Sequence, residues 1–253
     1  FVFENDFVEI NNKTFKLVND SDIIKNTFQY TDKLGIHFSS YNGFPIYFIE
    51  NNYKEDEYSL EISKDKIQIF YKNYGGKLYG IITLIQLIDF YKNKLPISKI
   101  YDKPKYSWRG MHLDCARQFY TIDEIKRLMD YMCFFKLNRF HWHLTDNEAW
   151  RVELECYPNL TKVGAFRGYN HSIPPFYGTG YNKTGGYYSR SQIKGLIEYA
   201  RLRNIEIMPE IDLPAHSWTL LQLMPELSDS SSNIISEDVG NYTNNTINPA
   251  VED

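Results

Sequence analysis

Between Trp108 and Ile211 the hydrophobic pattern switches repeatedly between strand and helix periods, and this alternation is the strongest constraint on the fold. WRGMHLD (108–114) reads as a strand. Thr121 and Glu124 then form a capping box that opens TIDEIKRLMDYMCFF, where Ile125, Leu128, Met129 and Met132 recur at helical spacing. LNRFHWHL (137–144) is the next strand. After a long loop rich in Gly and Tyr, Ser189 and Gln192 cap a helix carrying Ile193, Leu196, Ile197 and Ala200, and IEIMPEI (205–211) is the third strand. Strands alternating with helices imply βαβ units and a parallel sheet. Each strand runs into an aspartate or nearly so: Asp114, Asp146 and Asp212. In a (β/α)₈ barrel the C-terminal strand ends face the active site, so acidic residues placed there read as chemistry.

Upstream the pattern differs. FPIYFIE (44–50), EYSLEIS (57–63) and KIQIFYK (66–72) are strand-like, the last two separated only by Lys64 and Asp65, which predicts an antiparallel hairpin. After a Gly75-Gly76 break, Leu78, Ile81, Ile82, Ile85 and Ile88 mark a buried helix that covers one face of that sheet. KLPISKIYDKPKYSW, with Pro96 and Pro104, reads as a linker. The expected architecture is therefore an α+β N-terminal domain over residues 1–104, followed from 105 to 253 by the first part of an α/β (β/α)₈ TIM barrel. A complete barrel takes roughly 250 residues, so only about its first three βα units are expected in this chain.

A net charge of -4 with scattered basic residues offers no bulk attraction to phosphate backbones or anionic lipid, which argues against nucleic-acid and membrane partners. The most apolar run, LYGIITLIQLIDFY (78–91), is too short to span a bilayer. The chain opens at Phe1 with no methionine or signal-like segment, the pattern of a processed product. Cys115, Cys133 and Cys156 are an odd count without paired spacing, which predicts buried thiols rather than a zinc ribbon or disulfide framework. Sequons at Asn12, Asn19, Asn159, Asn170, Asn182, Asn241 and Asn244 would suit a secreted or lysosomal glycoprotein.

Several residues could carry chemistry. On a strand, His141 and His143 share a face while Trp142 points to the other. With Asp212 and His216 such a pair could ligate a hydrolytic zinc, as in a metal-dependent hydrolase on the same fold. The alternative is that the histidines fill a barrel interior. Arg117, just past the first strand, has a fork of donors suited to sugar hydroxyls or a carboxylate, and could equally make a structural ion pair with Asp114 or Asp146. Glu210, Asp212 and His216 in PEIDLPAHSW could tune protonation or simply hold a loop.

Taken together, WRGMHLDCARQFYTIDEIKRLMDYMCFFKLNRFHWHLTDNEAWRVELECYPNLTKVGA and GGYYSRSQIKGLIEYARLRNIEIMPEIDLPAHS resemble glycoside hydrolase family 20, the β-N-acetylhexosaminidases, in essentially all of 105–220. EYSLEISKDKIQIFYKNYGGKLYGIITLIQLI resembles the end of the family's small α+β domain. The resemblance implies retaining, substrate-assisted release of terminal N-acetylglucosamine or N-acetylgalactosamine, an exception to the two-carboxylate scheme, with neither metal nor other cofactor. It implies that Arg117 binds the O3 and O4 hydroxyls of the terminal sugar, that Asp146 and His143 wall the same subsite, and that Asp212 and His216 form a supporting pair behind the catalytic carboxylates.

This chain departs from the family pattern at Gln118, where histidine is usual, at Asn147, where a second aspartate is common, and at Ala215, where glycine is usual. The family's GGDE-type motif is absent, so the catalytic Asp-Glu pair is expected C-terminal to Asp253, and this chain by itself is expected to be inactive. The missing part would be a further segment or a second polypeptide, with DSSSNIISEDVGNYTNNT (229–246) a candidate site of cleavage. Homodimers are common in the family. A non-catalytic carbohydrate-binding protein would keep Arg117 and Asp146 while lacking the carboxylate pair.

Overall fold

The computed structural model describes residues 2–19, 31, 34–92, 94–168, 181–228 and 242–249. The chain divides into two compact units: residues 1–109 with 130–138 and 202–204, and residues 110–129 with 139–201 and 205–253. No helix among the described residues is long and apolar enough to cross a membrane.

The first unit is built on a seven-stranded mixed sheet. Its strands are β1 (Val2–Glu9), β2 (Thr14–Val18), β3 (His37–Ser39), β4 (Phe44–Glu50), β5 (Tyr58–Ile62), β6 (Ile67–Tyr71) and β7 (Lys94–Asp102), in the order β1-β7-β5-β6-β4-β2-β3. The predicted hairpin is present, with β5 antiparallel to β6 in the register Leu60 opposite Ile69. Helix α1 (Tyr74–Tyr91) packs on this sheet through Leu78, Ile81, Ile82, Leu84, Ile85 and Ile88, all buried.

Two expectations for this region are corrected. The Gly75-Gly76 pair is not a break but lies in the first turn of α1, capped by the Asn73 side chain accepting from the Gly76 amide. A Cβ on Gly76 would lie 2.3 Å from the Glu57 carbonyl oxygen, so the glycines serve close approach rather than chain reversal. The supposed linker is likewise the inner strand β7, hydrogen-bonded between β1 and β5, with Leu95, Ile97 and Ile100 buried. Its two prolines obscured a strand whose apolar residues complete the core; Pro96 stands opposite Phe7, where the register of β1 shifts.

Two partly buried cations of this unit each meet one carboxylate. Arg109 donates to Asp56 at 3.0 Å and to the Tyr79 hydroxyl at 3.1 Å. Lys136 Nζ donates to Asp102, to the Tyr58 hydroxyl and to Thr83, each at 2.8 Å.

In the second unit β8 (Gly110–Asp114), β9 (Arg139–Asp146) and β13 (Glu206–Ile211) lie side by side in parallel, in the order β8-β9-β13. Helix α2 (Ile122–Phe134) separates β8 from β9 in sequence, and α4 (Arg190–Arg201) separates β9 from β13. Both predicted capping boxes form: Thr121 with Glu124, and Ser189 with Gln192. Four short elements lie between β9 and α4: β10 (Ala149–Trp150), antiparallel to β9; α3 (Asn159–Lys162); and the paired β11 (Phe166–Arg167) and β12 (Thr184–Gly185). Helix α5 (Trp218–Leu223) follows β13.

As the two-residue period requires, Phe140, Trp142 and Leu144 are buried on one face of β9 while His141 and His143 lie on the other. Cys115 and Cys133 are buried thiols as expected, but Cys156 is exposed in the loop before α3 and departs from that expectation. The sequons at Asn12, Asn19, Asn159, Asn182 and Asn244 are exposed; Asn170 and Asn241 lie outside the described residues, as does most of the candidate cleavage loop.

Candidate active site

Parallel pairing aligns the strand ends, and with them the side chains of interest. Asp114 stands opposite His143, and Glu210 stands opposite His143 from the other side. The register of β9 against β13 then slips by one residue after Glu210, so that Ile211 pairs with Thr145 and the Asp212 amide donates to the Thr145 hydroxyl at 2.9 Å. This local irregularity re-aims the end of β13, a common device beside functional sites.

Arg117 is the hub. Its Nη1 contacts Asp114 Oδ2 at 2.8 Å, its Nη2 contacts Asp146 Oδ2 at 2.7 Å, and its Nε lies 3.3 Å from Glu148 Oε2. The carboxylates of Asp146 and Glu148 are buried, whereas the arginine side chain keeps 37% of its surface exposed. Arg117 therefore makes the ion pairs and still faces solvent.

The loop that carries Arg117 is held by two other arginines. The Arg151 guanidinium, itself buried, donates to the carbonyls of Cys115 and Ala116 at 2.9 Å, to that of Gly186 at 2.9 Å, and to that of Ala165. Arg167 donates to the carbonyl of Arg117. Burial pushes the Arg151 guanidinium down to about 10, and the neighbouring Arg167 charge acts in the same direction.

His143 is 95% removed from solvent, with 5% exposure, and its Nε2 lies 2.8 Å from the Thr145 carbonyl and 3.1 Å from Asp146. Burial disfavours its charged form, but the hydrogen bond to Asp146 and the charges of Asp114 and Glu210 outweigh this and raise it to about 9. Burial also opposes ionisation of Asp114, yet hydrogen bonds from the Arg117 side chain and amide hold it below the usual carboxylate range. Glu148 is shifted the other way: burial and the Asp146 charge raise it, with Arg117 and the Tyr242 hydroxyl offsetting part of that effect.

No hydrogen bond or ion pair joins Asp212 to His216 among the described residues. His216 Nδ1 instead lies 3.3 Å from Asp146 Oδ1 and 3.3 Å from the Asn147 amide nitrogen. Asp212 and His216 line one depression with Asp146, Thr145 and Trp150. His216 has φ 52, a left-handed conformation unfavourable for a residue with a Cβ, and its ring lies beside Asp146. Asn147, the departure from the family pattern, accepts from the Trp218 amide at 3.2 Å, and its carbonyl accepts from Thr219 at 2.6 Å, tying the β9-β10 turn to α5.

Two sets of donors could share a metal ion, His112 with His143 and Glu210, and His143 with Asp146 and Asp212; in each set the donor atoms lie within 4.8 Å of one another. The set suggested by the sequence, His141 and His143 with Asp212 and His216, is not brought together: His141 Nε2 instead contacts Glu210 at 2.5 Å.

Sequence reasoning missed Glu148, Arg151, Arg167 and His112. The first is a turn residue and the next two are buried cations that act on backbone carbonyls, for which no spacing rule exists. His112 could have been found, since strand register places it beside His141.

A parallel α/β sheet with carboxylates, imidazoles and an arginine gathered at its strand ends defines the class as an enzyme-like α/β domain. The family is narrower. A model of "Glycosyl hydrolase family 20, catalytic domain" matches residues 106–253, and the chain belongs to that family, whose catalytic domain is a TIM barrel. A beta-hexosaminidase of Vibrio furnissii is 36% identical over 78% of this chain and 33% of its own length. A chitooligosaccharidolytic beta-N-acetylglucosaminidase of Bombyx mori is 35% identical over 68% of this chain and 29% of its own. The crystal structure of an exo beta-N-acetylglucosaminidase from Vibrio harveyi in complex with N-acetylglucosamine superposes with a TM-score of 0.87 at 31% identity, covering 99% of this chain and 41% of that one. The chain thus spans about a third of the length of the curated relatives it matches.

Proposed function

We propose that this chain is the N-terminal part of a β-N-acetylhexosaminidase, comprising an α+β domain and the first three βα units of the catalytic barrel. It supplies the subsite for a terminal N-acetyl-β-hexosamine of a glycan. The observation that carries the reading is the Arg117 hub: a guanidinium pinned by carboxylates yet still partly exposed at the ends of parallel strands. Of its five N–H groups, those not engaged by carboxylates are available to the O3 and O4 hydroxyls.

In this reading Asp146 and His143 wall the subsite, and Asp212 and His216, which line one depression with Asp146, sustain the protonation state of the catalytic carboxylates. A general acid that must hold its proton near neutral pH needs such arranged charge around it. The acid and its aspartate partner belong to sequence following Asp253, in a further segment or second polypeptide. The reaction is retaining and substrate-assisted: the 2-acetamido oxygen attacks the anomeric carbon while the acid protonates the leaving oxygen. Secretion or lysosomal delivery accords with the exposed sequons.

The test is release of the chromophore from an aryl N-acetyl-β-glucosaminide by the complete protein. Turnover that survives a chelator is expected. Absence of turnover in a folded preparation would overturn the reading, and loss of turnover to chelation would favour the metal-dependent alternative.

A further inference from the structure

Glu148 has no role in the reading of the sequence, yet it is 1% exposed beside the proposed sugar subsite. It sits in the two-residue turn between β9 and β10, where Asp146 pairs directly with Ala149. That turn folds its carboxylate back toward Arg117. Its Oε2 makes no hydrogen bond of good geometry and has the Arg117 Nε, 3.3 Å away, as its one ion-pair partner among the described residues. Burying a carboxylate oxygen that lacks a hydrogen bond is costly. A turn residue with no task at the site would more cheaply be a short polar residue turned to solvent.

Asp114, Asp146 and Glu148 meet three different nitrogens of Arg117: Nη1, Nη2 and Nε. The Asp114 contact is a hydrogen bond along an N–H, whereas the Asp146 and Glu148 oxygens hold their nitrogens as ion-pair contacts without hydrogen-bond geometry. The third contact closes the remaining edge, so that rotation about the last side-chain bond would break at least one ion pair whichever way it turned. N–H groups of the two terminal nitrogens are then left to form a donor fork for a ligand.

We infer that Glu148 is a positioning residue: it completes a collar of three carboxylates that fixes the Arg117 fork for the paired hydroxyls of the terminal sugar. The inference rests on the proposed function and adds the residue that sets the precision of the subsite. A structural anchor of the turn would influence every substrate alike. A collar for the fork matters only to substrates with hydroxyls for the fork to hold.

The test uses the complete protein and two aryl N-acetyl-β-glucosaminides, one with all its hydroxyls and one lacking those at C3 and C4. For Glu148→Ala, KM for the first substrate should rise about tenfold, the size of one hydrogen bond to a charged group, while kcat changes little. On the dideoxy substrate the variant and the parent should differ by less than about twofold on the same scale. Glu148→Gln, which keeps the volume but loses the charge, should recover only part of the lost affinity. Should the alanine variant fail to fold, Glu148→Leu, which fills the volume without an acceptor, carries the same comparison. Equal penalties on both substrates, or none on either, would overturn the collar while leaving the hexosaminidase reading intact. A parent protein with no turnover at all would overturn both.

Discussion

The two units bury charge by opposite rules. In the first, two partly buried cations each meet one carboxylate: Arg109 meets Asp56, and Lys136 meets Asp102, with tyrosine hydroxyls completing the hydrogen bonding. In the second, Asp114, Asp146 and Glu148 share one guanidinium, with a raised His143 beside them and His216 at the edge. Balanced pairs hold a fold, because a carboxylate with its own partner leaves nothing for a ligand to complete. An excess of carboxylates over one partly exposed cation is an arrangement that stability alone would not select, and such imbalance marks functional sites.

The largest effect expected from breaking this contrast is at Arg117. Arg117→Ala should lower kcat/KM for an aryl N-acetylhexosaminide by about a hundredfold or more, since at least two charge-assisted hydrogen bonds to substrate are lost. Steady-state kinetics at constant ionic strength would show it. A change under about threefold would place the sugar elsewhere.

Arg109→Ala belongs to the balanced side and should behave as a stability variant. Leaving the partly buried Asp56 with only the Asn73 and Asn204 side chains as donors should cost about 2 kcal/mol, read as a lower urea midpoint, with kcat/KM of the folded protein preserved. Replacing both partners, as in Arg109→Met with Asp56→Leu, should recover much of that loss.

Titration should sharpen the contrast further. His143 is raised from 6.5 to about 9 in the folded protein. Its contribution is therefore fully present below about pH 6.5 and is lost as the pH rises through about 9. Thermal midpoints measured between these limits should fall by several degrees, an effect on the order of 2 kcal/mol, and His143→Gln should flatten that part of the profile.

The smallest effect expected is a gain. Glu148 is raised by burial and by Asp146, so its ionised form is disfavoured in the fold at neutral pH. Glu148→Gln should consequently raise the midpoint by about 2 °C, the shift expected for about 1 kcal/mol or less in a chain of this length, while weakening substrate affinity. A neutralising substitution at Asp56 or Asp102 should do the opposite, because those carboxylates have cations of their own.

The elements most legible in the sequence were those whose pattern is local. The β5-β6 hairpin and both capping boxes formed as expected, because two-residue turns and N-caps are decided within a few residues. Strand β7 was hidden because its prolines read as punctuation, whereas pairing with β1 and β5 is decided by residues far away in sequence. The same division runs through the site. The residue period of β9 places His141 and His143 on one face, and the aspartates at the strand ends mark where chemistry would lie.

What the sequence by itself determined was the alternation of strands and helices, the polarity of the strand ends and the family. The tertiary structure alone decided that His216 reaches Asp146 rather than Asp212, that Glu148 turns inward, and that Arg151 and Arg167 hold the loop bearing Arg117. Periodicity is a property of neighbours along the chain and survives in one dimension. Which carboxylate shares which cation depends on register, on a left-handed residue at 216 and on a tight turn at 147–148, and these act only once the strands are side by side.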